Sequence, residues 1–103
     1  MIRAEFYESE GVPVGFRFSG HSGYAEAGND VVCAAVSSAV QLTVNILDSI
    51  GFSPDVNVGD NVIRCMIGKP NEVSANILNQ LRLHFEAVLE EFPKTINITN
   101  SEV

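Results

Sequence analysis

Two side chains in this sequence have the types and spacing for nucleophilic chemistry. His21 and Cys33 lie twelve positions apart in the stretch GHSGYAEAGNDVVC. The histidine ends a segment that reads as a strand, and the cysteine falls in the first turn of a long amphipathic helix. A thiol there meets the positive end of the helix dipole, which favours thiolate over thiol. With a histidine alongside, the pair has the minimum apparatus for attack on a carbonyl carbon, with the imidazole accepting and later returning a proton. Backbone N–H groups of the first helical turn would face the developing oxyanion. Asp30 is either the helix cap, an orienter of His21, or both, and Ser37 lies one turn beyond Cys33. The plainer alternative is a structural cysteine and a turn histidine.

The elements around this pair follow from periodicity. Residues 2–8 alternate, with Ile2, Ala4 and Phe6 on one face, as in a half-buried strand. After a turn at Ser9-Glu10-Gly11 the alternation returns in 12–19, with Val12, Val14, Phe16 and Phe18 expected inward, so the two segments read as an antiparallel hairpin. Pro13 has no N–H to donate and belongs at a strand start or an edge.

Residues 20–28 hold three glycines, Gly20, Gly23 and Gly28, with Tyr24 their only large side chain. They are expected to form a mobile loop, longer than most strand-to-helix connections. Asp30, or Asn29 one residue earlier, is expected to cap a helix from Val31 to about Ile50. Its inward face is read as Val32, Val36, Ala39, Thr43, Ile46, Leu47 and Ile50, with Ser37, Gln41, Asn45 and Asp48 outward and Gly51 closing it.

A second hairpin is expected from Val56 to Ile67, turning at Gly59-Asp60-Asn61 and placing Cys65 between Ile63 and Ile67 as a small buried hydrophobe. Asn71 caps a second helix to about Phe92, without a capping box. Its inward stripe is read as Val73, Ile77, Leu81, Phe85, Val88, Leu89 and Phe92, with His84 beside it and partly exposed. A short strand at Thr95–Ile98 and a frayed tail follow, the tail flexible over 99–103. The order β-β-α-β-β-α-β predicts a single α+β domain over 1–103, an antiparallel or mixed sheet packed with two long helices, which lie on one side of it or on both.

Composition narrows the function classes. Thirteen acidic against six basic residues give a net charge of −7, which disfavours direct nucleic-acid binding and weakly favours a basic polypeptide partner. No apolar run reaches the roughly 20 residues of a membrane span, and acidic residues interrupt the N-terminus where a signal peptide is apolar, so a cytoplasmic protein is expected. Two cysteines are too few for a disulfide framework. No paired ligand spacing points to a metal site, and no cofactor is implied.

The stretches Gly20-His21-Ser22 and Gly28-Asn29-Asp30-Val31-Val32-Cys33-Ala34-Ala35-Val36-Ser37, extending through Thr43 and Asn45, resemble the signature of the ribosomal-processing cysteine protease family, Prp. Chain length and element order are similar to that family throughout. Ser22 departs conservatively from an alanine often expected there, and the second helix and tail carry no motif.

The resemblance implies a bacterial cytoplasmic cysteine endopeptidase that removes the N-terminal extension of large-subunit ribosomal protein twenty-seven, cutting after an aromatic-rich segment and before a small residue. It implies a Cys–His dyad, carried here by Cys33 and His21, and a homodimer. The loop holding Gly20, Ser22, Gly23, Tyr24 and Gly28 would then be mobile until substrate orders it. The acidic balance suits a basic substrate. The rival expectations are a non-catalytic ribosome-assembly or protein-binding module for a basic partner and, more weakly, a thiol redox switch at Cys33.

Overall fold

The computed structural model describes residues 1–20 and 31–103. Its elements run in the expected order: β1 (Ile2–Ser9), β2 (Val12–Ser19), α1 (Val31–Ser49), β3 (Asp55–Gly59), β4 (Val62–Met66), α2 (Glu72–Glu91) and β5 (Ile96–Glu102). His21, Ser22, Gly23, Tyr24, Gly28, Asn29 and Asp30 lie outside the described residues, and with them the expectations of a mobile loop and of a cap at Asp30.

The strands form one sheet in the order β3-β4-β2-β1-β5. The pairs β1–β2, β2–β4 and β3–β4 are antiparallel, and β5 runs parallel to β1, so the sheet is mixed. Ile2, Ala4, Phe6, Phe16, Phe18, Cys65 and Ile96 supply its inner face, and both helices pack on that face in one continuous core. Phe18 centres the core, edge-on to Phe85 of α2 at 5.0 Å and to Phe6 at 5.7 Å. The opposite face is polar: Arg17 pairs with Glu5 on one side and Arg64 on the other, and the Arg64 guanidinium lies over the Tyr7 ring at 5.6 Å.

Several boundaries and faces differ from the sequence reading. Val12 is exposed, not inward. Tyr7 pairs with Gly15 but Glu8 with Pro13, so Val14 is an extra residue in a β-bulge. The bulge reverses the parity of the strand before it and turns Val12 to the outer face. Pro13 sits at the start of β2, beyond the stretch that β4 pairs, as a residue without an N–H should.

In α1 the buried positions are Val32, Val36, Val40, Thr43 and Leu47. Val40 belongs to the core, whereas Ile46 and Ile50 are exposed, because the contact stripe keeps 3.6-residue spacing and passes one position away from them. The helix closes with the Gly51 N–H donating to the Asp48 carbonyl and the Phe52 N–H to that of Leu47, with Gly51 at φ 98°. This double bond pattern needs a left-handed residue at Gly51. By length and composition α1 would also qualify to cross a membrane, with 19 residues and a mean hydropathy of 1.6, which corrects the expectation that no segment would. Only the stripe of Val32, Val36, Val40, Thr43 and Leu47 is buried, and Val31, Leu42 and Ile46 of the same helix are exposed.

The start of α2 corrects two expectations. A capping box is present: the Asn71 side chain accepts from the Val73 and Ser74 N–H groups, and the Ser74 hydroxyl accepts from the Asn71 N–H at 2.9 Å. Serine takes the place that glutamate or glutamine usually fills. This draws Ser74 into the core and leaves Val73 exposed; Ser74, Leu78, Leu81 and Phe85 are buried, and the expected Ile77, Val88, Leu89 and Phe92 pack against the core half-buried.

The expected frayed tail is a strand. β5 pairs with β1 from Ile2–Ile96 to Glu8–Glu102, and the Val103 N–H donates to the Glu8 carbonyl. Polar side chains anchor it, Ser101 to Glu5 at 2.7 Å and the Arg82 guanidinium to Asn100 at 2.7 Å. Its composition, Asn-Ile-Thr-Asn-Ser, hides this because its partner is some ninety residues away in the chain.

Candidate active site

Cys33 is the third residue of α1, half-buried and packed at the margin of the core, as the helix start predicts. It borders a groove of about 560 Å³. One wall is α1. The other is the β3–β4 end of the sheet, which the helices leave partly open. Ser37, the residue predicted to support Cys33, also lines this groove one turn further along α1.

The end of β2 reaches the same groove. Gly20 lines it, and its N–H donates to the Asn61 carbonyl in the β3–β4 turn at 3.0 Å. A Cβ on Gly20 would lie 2.9 Å from the Met1 carbonyl oxygen, and its φ of 86° is left-handed, so glycine is required on both counts. The chain therefore leaves the described region at Gly20 and re-enters it at Val31 beside one groove, whose lining includes both Gly20 and Cys33. Of the other predicted site residues, His21, Ser22, Gly23, Tyr24, Gly28 and Asp30 lie outside the described residues.

Cys65 has a different setting. It is fully buried, paired with Phe16 on β2 and Val56 on β3. Burial, reinforced by the Asp55 carboxylate, pushes its thiol up to about 11. It is a core residue, as expected. His84 is exposed on α2, with its ring centroid 5.9 Å from that of Phe85. Among the described residues no group of three or more His, Cys, Asp or Glu is placed to hold a metal ion.

The groove contains features the sequence reading passed over. Gln41 and Asn45 continue the line from Cys33 through Ser37, each four residues further on, and Val58, Asn61 and Val62 face them from the sheet. The four-residue interval was visible in the sequence, but nothing there marked the outward polar face as bordering a groove. The opposite wall depends on β4 pairing with β2, which no local pattern encodes.

Residues 1–97 match the family described as cysteine protease Prp. The ribosomal processing cysteine protease Prp of Bacillus subtilis (strain 168) is 38% identical over 47 residues, a match covering 45% of this chain and 42% of that protein, less than half the relative's length. Among solved structures, a ribosomal processing protease Prp from S. aureus with a covalently linked product peptide superposes with a TM-score of 0.88 at 24% identity, covering 98% of this chain and 100% of that one. The same protease with a substrate peptide gives 0.84 at 23% identity, with the same coverages. SMU.848 from Streptococcus mutans gives 0.78 at 23%, covering 100% and 96%. These likenesses establish the mixed-sheet α+β fold, and the match over residues 1–97 establishes that the chain belongs to the cysteine protease Prp family.

Proposed function

We propose that the protein is a cytoplasmic cysteine endopeptidase that removes the N-terminal extension of a large-subunit ribosomal protein, number twenty-seven, with Cys33 as nucleophile and His21 as general base and acid. The observation that carries this reading is the shared groove: Cys33 and Gly20 both line it, and His21 follows Gly20 directly in the chain. Only two cysteines are available to a cysteine protease here, and Cys65 is fully buried. The names of the relatives support the ribosomal substrate, and the acidic balance of the chain suits a basic one. We infer a homodimer from the family resemblance.

In this mechanism His21 takes the thiol proton and the Cys33 sulfur attacks the scissile carbonyl carbon. The C=O π bond opens to a tetrahedral oxyanion at the N-terminal end of α1, where helix dipole and backbone N–H groups favour negative charge. As the oxyanion collapses, the C–N bond breaks and His21 delivers its proton to the leaving amine, giving a thioester. A water then adds to the thioester with His21 as base. The C–S bond breaks, releasing the carboxylic acid product and restoring the thiol. Asp30 is assigned a supporting role as cap or orienter, and Ser37 as a hydrogen-bonding neighbour of the sulfur.

The test is incubation of purified enzyme with the extended ribosomal protein and determination of the new N-terminus. Cys33→Ala and, separately, His21→Ala are expected to abolish cleavage. Undiminished turnover by Cys33→Ala contradicts the mechanism. Binding of the ribosomal protein that survives Cys33→Ala, with no cleaved product from wild type under any condition, favours a binding module instead.

A further inference from the structure

The end of β2 is held from both sides at the residue that precedes His21. Ser19 pairs with Arg3 on β1 and with Val62 on β4, the last register pair on each side. One further bond extends the β4 side: the Gly20 N–H donates to the Asn61 carbonyl at 3.0 Å. On the β1 side the Met1 carbonyl closes against the Gly20 α-carbon, so that a Cβ there would stand 2.9 Å from its oxygen. His21 follows directly in the chain.

Both partners of this bond depart from strand geometry. Gly20 has φ 86° and Asn61 has φ 55°. A left-handed Gly20 turns the chain out of the ladder. Glycine populates positive and negative φ about equally, so its own preferences leave the exit direction open and its neighbours must set it. Asn61 belongs to the two-residue turn that joins β3 to β4, and asparagine is one of the few residues with a side chain that visit the left-handed region. The carbonyl this turn presents is the one Gly20 reaches. One such bond is worth about two- to tenfold in an equilibrium, and misplacing a catalytic group by about 1 Å costs up to about a hundredfold in rate. A single backbone bond here is therefore large enough to be read in kcat.

We propose that the Asn61 backbone carbonyl is a positioning group for catalysis. Through Gly20 it fixes the direction in which the chain runs on to His21, and so ties the β3–β4 turn to the general base. This rests on His21 and Cys33 acting as the dyad. What matters at position 61 is then the ability to hold φ near 55°, not the amide side chain. Because Asn61 also lines the groove, the competing role is a contact of that side chain with substrate, and glycine at this position separates the two.

The experiment compares wild type with His21→Ala, Asn61→Val, Asn61→Ala and Asn61→Gly. A β-branched valine is an outlier at this φ, whereas glycine adopts it freely. Exchange of the Gly20 amide is read by NMR, Cys33 alkylation by iodoacetamide at mildly acidic pH, and kcat and KM on the extended ribosomal protein. In Asn61→Val, Gly20 exchange is expected to rise about two- to tenfold and kcat to fall by a similar factor, with KM little changed. Alkylation of Cys33 slows as in His21→Ala but by less, because a nearby imidazole favours the reactive thiolate. Asn61→Gly restores all three readouts towards wild type. Asn61→Ala, less strained than valine, falls between them and carries the test if the valine variant does not fold.

A lowered melting temperature in Asn61→Val with kcat and alkylation unmoved marks a merely structural turn and overturns the proposal. So does a Gly20 amide that exchanges as fast in wild type as in Asn61→Val, or a kcat as impaired in Asn61→Gly as in Asn61→Val. If His21→Ala is alkylated at the wild-type rate, the dyad reading fails and the positioning role with it. An inert Asn61→Val beside a responsive His21→Ala overturns the positioning role alone.

Discussion

The two cysteines of this chain carry the same functional group and have opposite surroundings. Cys33 stands in the first turn of a helix, half-buried, bordering the groove between α1 and the β3–β4 end of the sheet. Cys65 stands in the middle of β4 with Phe16 opposite it on one neighbouring strand and Val56 on the other, and burial holds its thiol protonated up to about pH 11. Backbone position alone separates them. A helix start points a side chain to a rim where a carbonyl substrate can approach, whereas a central strand position on the inner face gives it only apolar neighbours. The sulfur that can react and the sulfur that fills space are distinguished by their elements, not by the thiol.

The strongest break of this comparison is on activity. Cys33→Ala is expected to lower the cleavage rate by about a thousandfold or more, since removing a nucleophile removes the covalent route, while its melting curve stays close to wild type. Cys65→Ala is expected to keep its activity. Equal losses of activity in the two variants would erase the distinction.

Next in size are the packing effects that the comparison assigns to the core. Phe85→Ala deletes the ring that meets Phe18 edge-on and is expected to cost about 3–5 kcal/mol in chemical denaturation. Cys65→Ser, which buries a hydroxyl where a thiol now packs, is expected to cost about 1–3 kcal/mol. A Cys65→Ser protein as stable as wild type would place that residue in a more forgiving site than the described one.

A pH effect sharpens the same contrast. The Cys65 thiol ionises near 9 when unfolded and near 11 when folded. The folded state therefore keeps its proton longer, and the associated stability is fully present below about pH 9 and lost as pH rises towards about 11. Denaturation midpoints are expected to fall over that interval in wild type and to fall less steeply in Cys65→Ala.

The smallest effect concerns the far edge of the sheet. The Ser101 hydroxyl, donating to Glu5, holds that carboxyl below its ordinary range. Ser101→Ala is expected to raise the Glu5 pKa, read by NMR titration, and to remove a contribution that in wild type is lost as pH falls through that value. An unmoved titration would remove the Ser101–Glu5 hydrogen bond from the contacts that hold β5.

Local rules carried the sequence reading where the structure is local. Period-two alternation identified both hairpins, and the same alternation placed Cys65 inward between Ile63 and Ile67. The Val31 and Gly51 boundaries located α1, and with it the rim position of Cys33. Failures came where distant or one-residue events decide. One extra residue at Val14 turned Val12 outward, a serine took the part of a longer acceptor in the cap of α2, and β5 drew its order from pairing with the first strand of the chain. The groove is of this second kind. Cys33 and Ser37 were visible on one helix, but Val58 and Asn61 join them only because β3 and β4 fold back beside α1.

The most direct test of the account is partial alkylation of the native enzyme. Iodoacetamide is added in steps, residual cleavage is measured at each step, and the modified cysteine is located by peptide mass mapping. The account predicts that label accumulates on Cys33 in proportion to lost activity, while Cys65 stays unlabelled until the protein is denatured. Full modification of Cys33 with activity intact, or inactivation that tracks label on Cys65, would contradict it.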